Sequence, residues 1–203
     1  MTPRQRRLQR AGLETVAAAP RKSWLGRFTP LSGIQSAWIK SLLTAWGESM
    51  RGGTAPMKPS GHSCWRMMRG RNWSDKTLER FTAALDQARG EGFRGEQALS
   101  RAKTILWPKA ASSVIDTAIQ EDDAAFVEKC VLEAFKTDDP VFIVGVSYYT
   151  TRKKISDITR ELQVIAPWLT SGEARKRVRW CLEIFRARAF LSMHKRLMGE
   201  NEI

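Results

Sequence analysis

Apolar side chains recur along most of this chain at intervals of three and four residues, the spacing that lines one face of an α-helix. Ile34, Trp38, Leu42 and Trp46, widened by Ile39 and Leu43, predict a helix from Ser32 to Trp46, which Gly47 and the Gly52–Gly53 pair should stop. A Gly- and Pro-rich loop reaches Pro59, and a short helix is expected from His62 to Arg69. Ser74 reads as the N-cap of a helix through Ala88, with Leu78, Phe81 and Leu85 inward. Gly90, Gly92 and Gly95 mark the next turn, before a helix from Gln97 to Leu106. A weaker helical stretch follows at 113–120, and Asp122 or Asp123 then caps a helix to Phe135 that buries Phe126, Val127, Cys130, Val131 and Ala134.

Asp139–Pro140 is a start signal, with Asp as N-cap and Pro at the first helical position, where its missing N–H costs nothing. The following Val141–Val146 run is rich in β-formers. A helix is nonetheless expected, because a single strand would leave its backbone groups unpaired. The fold class is therefore mostly α.

The C-terminal third has the sharpest pattern. Thr150 or Thr151 can cap a helix to Gln163 with Ile155, Ile158 and Leu162 on one side, and a turn containing Pro167 follows. Thr170 and Glu173 have the spacing of a capping box opening a helix to Leu191. Turned by 100° per residue, this helix gathers Val178, Leu182, Phe185 and Ala189 as a core stripe. Arg175, Arg179 and Arg186 line one flank, while Lys176, Arg177 and Trp180 point away from the core. An apolar stripe on the scaffold beside cations in the first turns is what a DNA recognition helix needs. Residues 151–191 are thus expected to form a helix–turn–helix, with a turn longer than the 3–4 residues usual for the motif.

Charge sharpens this picture. Of 203 residues, 34 are Lys or Arg and 21 Asp or Glu, a net +13 that favours a polyanionic partner. The excess is segregated: residues 1–73 hold +11, 111–149 hold −6 and 150–203 hold +6. Residues 1–31, with Arg4, Arg6, Arg7 and Arg10 at their start, read as a flexible basic arm able to lie along phosphates and order on binding. Residues 32–110 and 111–203 are expected as N- and C-terminal helical regions. The acidic stretch 121–139 should avoid DNA and face a protein partner or the rest of the chain. No apolar run approaches the length of a membrane span, three scattered cysteines form neither a disulfide framework nor a zinc motif, and the Arg-rich start lacks the apolar core of a secretory signal. A cytoplasmic protein is expected.

Catalytic chemistry finds little support. His62 and Cys64 are two residues apart, which on a helix points them in different directions, and no orienting group accompanies them. Glu121–Asp123 is read as a helix cap in preference to a cation site, and His194 as complementing a helix dipole. Neither a Walker nor a Rossmann glycine pattern occurs. No enzyme activity, metal or cofactor is expected. Trp38 and Trp46 are assigned to the core, and Trp180 to burial or a partner contact. Trp65 and Trp73, among Arg66, Arg69 and Arg71, either stack on single-stranded nucleic acid or form a small apolar cluster with the arginines turned outward.

Four stretches add a resemblance: Ser36-Ala-Trp-Ile-Lys-Ser-Leu-Leu-Thr-Ala-Trp-Gly47, Asp139-Pro-Val-Phe-Ile143, Tyr148-Tyr-Thr-Thr-Arg-Lys-Lys154, and Ala166-Pro-Trp-Leu-Thr-Ser-Gly-Glu-Ala-Arg-Lys-Arg177 with its following helix. Their order is similar to that of the late-gene antitermination proteins of lambdoid phages, the Q proteins, in the branch without a cysteine zinc insertion. It covers roughly residues 34–192. The resemblance implies a protein that binds DNA near a phage late promoter in the host bacterial cytoplasm, engages paused host RNA polymerase and travels with it past terminators. It also implies C-terminal helices like the helix–turn–helix of sigma-factor region four. By that correspondence Arg175, Lys176, Arg177 and Arg179 face DNA, and Arg152, Lys153 and Lys154 meet backbone phosphate. Arg66, Arg69, Arg71, Trp65 and Trp73 gain a third option, contact with polymerase or nascent RNA. The alternatives are a simpler helix–turn–helix regulator or phage packaging subunit, and an RNA-binding module.

Overall fold

The computed structural model describes residues 2–51, 74–106 and 123–199. Among these residues the chain is mostly helical, with no strand. The eight α-helices are α1 (Pro3–Ala18), α2 (Gly33–Met50), α3 (Asp75–Gly90), α4 (Gly95–Leu106), α5 (Asp123–Ala134), α6 (Pro140–Thr150), α7 (Ile155–Ile165) and α8 (Ser171–Gly199), with a 3-10 turn at Lys22–Leu25. The expected helices at 62–69 and 113–120 lie outside the described residues. Two compact units form, one from Met1–Pro30 and Leu132–Ala189, the other from Leu31–Val131 and Phe190–Ile203. This division departs from the boundary expected near residue 110, because contacts between segments distant in sequence define each unit.

In the first unit, α1 packs on α6 and α7. Residues 1–31 are therefore not the flexible arm expected from their charge. Thr2 and Gln5 form a capping box: the Gln5 N–H donates to Thr2 Oγ1 at 3.3 Å and the Thr2 N–H to Gln5 Oε1 at 2.8 Å. Leu13, Val16 and Ala17 are buried. The core of this unit is aromatic. Phe185 stacks on Phe135 at 5.0 Å between ring centroids and on Tyr149 at 5.9 Å. Gly145 makes room for it, since a methyl there would land within the Phe185 ring. Val141, Val144, Gly145 and Tyr149 share the buried face of α6, so the β-rich run is a helix, as expected. Asp139 caps it, accepting the Val141 N–H at 2.8 Å.

The second unit is built on α2, against which α3 and α4 pack. Trp38, Ile39, Leu42, Leu43, Leu78, Phe81, Leu85 and Leu99 are fully buried. Phe81 and Phe190 meet the Trp38 ring edge-on at 6.3 and 5.7 Å. Gly47 does not stop α2; it is buried inside the helix, which runs on to Met50. The added turn carries Glu48, whose carboxylate accepts the Gly95 N–H at 2.9 Å and so anchors the positive end of α4. Phe126, Val127, Cys130 and Val131 are buried as expected, whereas Ala134 is half-buried.

Candidate nucleic-acid interface

The start of α8 is set by local hydrogen bonds. The Leu169 N–H donates to the Ala166 carbonyl at 3.1 Å, closing a turn whose corners are Pro167 and Trp168. Ala166 and Leu169 are buried, so the two corner residues stand out in solvent, Trp168 with 72% of its surface exposed. Thr170 and Glu173 then form the expected capping box. The Glu173 N–H donates to Thr170 Oγ1 at 3.3 Å, and Glu173 Oε2 accepts the Thr170 N–H at 3.0 Å and its hydroxyl at 2.8 Å. The bonds from Thr170 hold the Glu173 carboxyl below its usual range, with further help from Arg177 and Lys176.

Val178, Leu182, Phe185 and Ala189 are buried, as their spacing requires. Arg175, Lys176 and Arg179 are exposed, and among the described residues no carboxylate lies within ion-pair reach of them. Lys176 extends over the Trp180 ring at 5.4 Å, and Trp180 itself is half-buried. Residues 19–27 run along the other flank of α8. Arg177 donates through Nε to the Ala19 carbonyl at 2.9 Å, Lys22 pairs with Glu183, and Arg188 Nε donates to the Arg27 carbonyl at 3.5 Å.

The expected cationic set is thus divided. Arg177 is half-buried and bonded through Nε to Ala19, which sets it apart from the exposed Arg175, Lys176 and Arg179. Arg186, expected beside Arg175 and Arg179, instead donates to the Tyr149 hydroxyl at 2.8 Å. Burial pushes that phenol above its ordinary pKa, although Arg186 opposes the shift. Arg188 pairs with Asp139 at 2.9 Å, so one carboxylate caps α6 and holds α8.

Lys154 is the N-cap of α7, with Lys153 and Arg152 just before it, so the cations stand at the helix start, whereas the expected caps Thr150 and Thr151 do not. The Thr150 hydroxyl donates back to the Val146 carbonyl at 2.8 Å and the Thr151 hydroxyl to that of Ser147, so both close α6 instead of opening α7. The three cations form the connecting turn, and α7 begins at Ile155 with Asp157 accepting the Lys154 N–H at 2.8 Å. Arg152 and Lys154 are exposed, while Lys153 pairs with Glu161. Arg66, Arg69, Arg71, Trp65 and Trp73, with His62 and Cys64, lie outside the described residues.

Trp168 falls between two helices and in no helical stripe, so periodicity does not single it out. Pro167 was the available signal: proline favours the first corner of a turn, which places the next residue at the second corner and outward.

A short helix, a five-residue turn and a long helix with cations on its first turns can present positive charge and guanidinium forks to phosphates and guanine edges. No described helix is long and apolar enough to cross a membrane. No family model, curated protein or solved structure matches the chain.

Proposed function

We propose that this protein is a duplex-DNA-binding transcription factor in which α7, the 166–170 turn and α8 act as a helix–turn–helix. α8 enters the major groove by its N-terminal turns. The observation behind the proposal is the exposure of Arg175, Lys176 and Arg179, none of them in ion-pair contact with a carboxylate among the described residues, on a helix whose opposite side is anchored in a core. Arg175 and Arg179 supply base or phosphate contacts, Lys176 supplies phosphate contacts, and Arg152 and Lys154 add charge from the turn before α7. The resemblance in sequence to Q-type antiterminators gives the DNA binding its purpose: loading onto host RNA polymerase at a phage late promoter and carrying it through terminators. Run-off transcription from a late promoter with a downstream terminator tests this. Read-through should rise with the protein and fall back with Arg175→Ala/Arg179→Ala. Binding without read-through would leave a simpler regulator, and no duplex binding would end the proposal.

A further inference from the structure

The first turns of α1 break the usual electrostatic preference of helices. Partial positive charge at a helix N-terminus favours acids and disfavours cations. Yet α1 carries no acid in its first turn, and Arg4, Arg6, Arg7 and Arg10 are exposed along its first two. Arg10 pairs with Glu14 at 3.1 Å; among the described residues the other three have no carboxylate partner.

These arginines ride on a fixed element. Leu13, Val16 and Ala17 are buried, and Gly12 comes so close to Ile143 that a Cβ would meet its δ-methyl at 2.5 Å. Gln9 donates to Glu161 Oε2 at 3.3 Å, and the same carboxylate binds Lys153. The side of α7 that receives α1 therefore also receives the 152–154 turn, whose Arg152 and Lys154 stay exposed. Glu161, the acid between them, already serves Lys153.

We infer that α1 and the turn before α7 form a second, preformed polyanion-binding ridge that takes the sugar–phosphate backbone of duplex DNA without reading bases. The exposed residues of α1 include no aromatic, so the ridge lacks the stacking platform used for single strands. The choice of duplex DNA rests on the reading of α8 given above.

Salt titration of affinity for a random-sequence duplex tests the inference, with helical content checked by circular dichroism. Arg4→Gln/Arg6→Gln/Arg7→Gln should lower the slope of log K against log salt by roughly 2–3, alike for every sequence, and the corresponding lysine triple should keep it. An unchanged slope in the glutamine triple, while the wild type binds, overturns the ridge and leaves the α8 reading standing. A wild type with no salt-dependent duplex affinity overturns both. Stronger competition by single-stranded RNA than by duplex DNA overturns the assigned partner. Loss of preference for a selected sequence in Arg175→Ala/Arg179→Ala, with that preference retained in the α1 variant, supports the separation of the two surfaces.

Discussion

Arg177 donates through Nε to the carbonyl of Ala19 at 2.9 Å, tying the second turn of α8 to the residue that ends α1. Arg177→Ala should therefore cost about 1–3 kcal/mol of stability, the range for losing a part-buried bond from a charged donor. Arg175→Ala and Arg179→Ala should stay within about 0.5 kcal/mol of wild type in stability. Each should instead weaken binding to the proper site by about 1–3 kcal/mol where it contacts a base. Urea denaturation beside gel-shift titration separates the two classes, and equal stability losses in all three variants would contradict the division.

Glu173 makes the α8 cap sensitive to acid. Its folded-state pKa is depressed, chiefly by the Thr170 hydrogen bonds. The stabilisation is therefore fully present above the unfolded value of about 4.3 and is lost as pH falls through the lower folded value. Glu173→Gln retains an acceptor for Thr170 but no titrating group. Its urea midpoint should fall less steeply than that of wild type across that acid window, and parallel profiles would count against the cap.

Gly145→Ala tests the packing of Phe185. An interior Gly→Ala change should gain about 1 kcal/mol of helix propensity. Here the added methyl would overlap a fully buried ring, and overpacking of this kind costs about 1–3 kcal/mol. A net loss of stability is expected, partly recovered by adding Phe185→Leu. Thermal denaturation of both single variants and the double variant measures the coupling.

Burial pushes the Cys181 thiol up to about 12, and the negative charge of Asp139 adds to the shift. Near neutral pH almost no thiolate forms there, and Cys130 is buried as well. Mass spectrometry after brief alkylation should find both cysteines unmodified in the native protein and modified once it is unfolded. Native labelling of Cys181 at the unfolded rate would contradict this placement.

The sequence by itself determined those helix starts and buried stripes that local groups set, though not the start of α7, where Thr150 and Thr151 close α6 instead, nor the existence of α1. Asp139–Pro140, Ser74 and the Thr170–Glu173 box act over two or three residues, and the Trp38–Leu42 and Val178–Leu182–Phe185 spacings are properties of a single helix. Local groups suffice for such features. Only the tertiary structure decided which cations remain available. Arg175 and Arg179 differ from Arg177, Arg186 and Arg188 through partners 158, 37 and 49 residues distant from the last three, which no helical period encodes. The same holds for α1: its charge suggested a loose arm, but Leu13, Val16 and the close approach of Gly12 to Ile143 give it a bed on α6 and α7. Ordering a segment depends on the apolar surface it can bury, and that surface is supplied by residues far away in the chain.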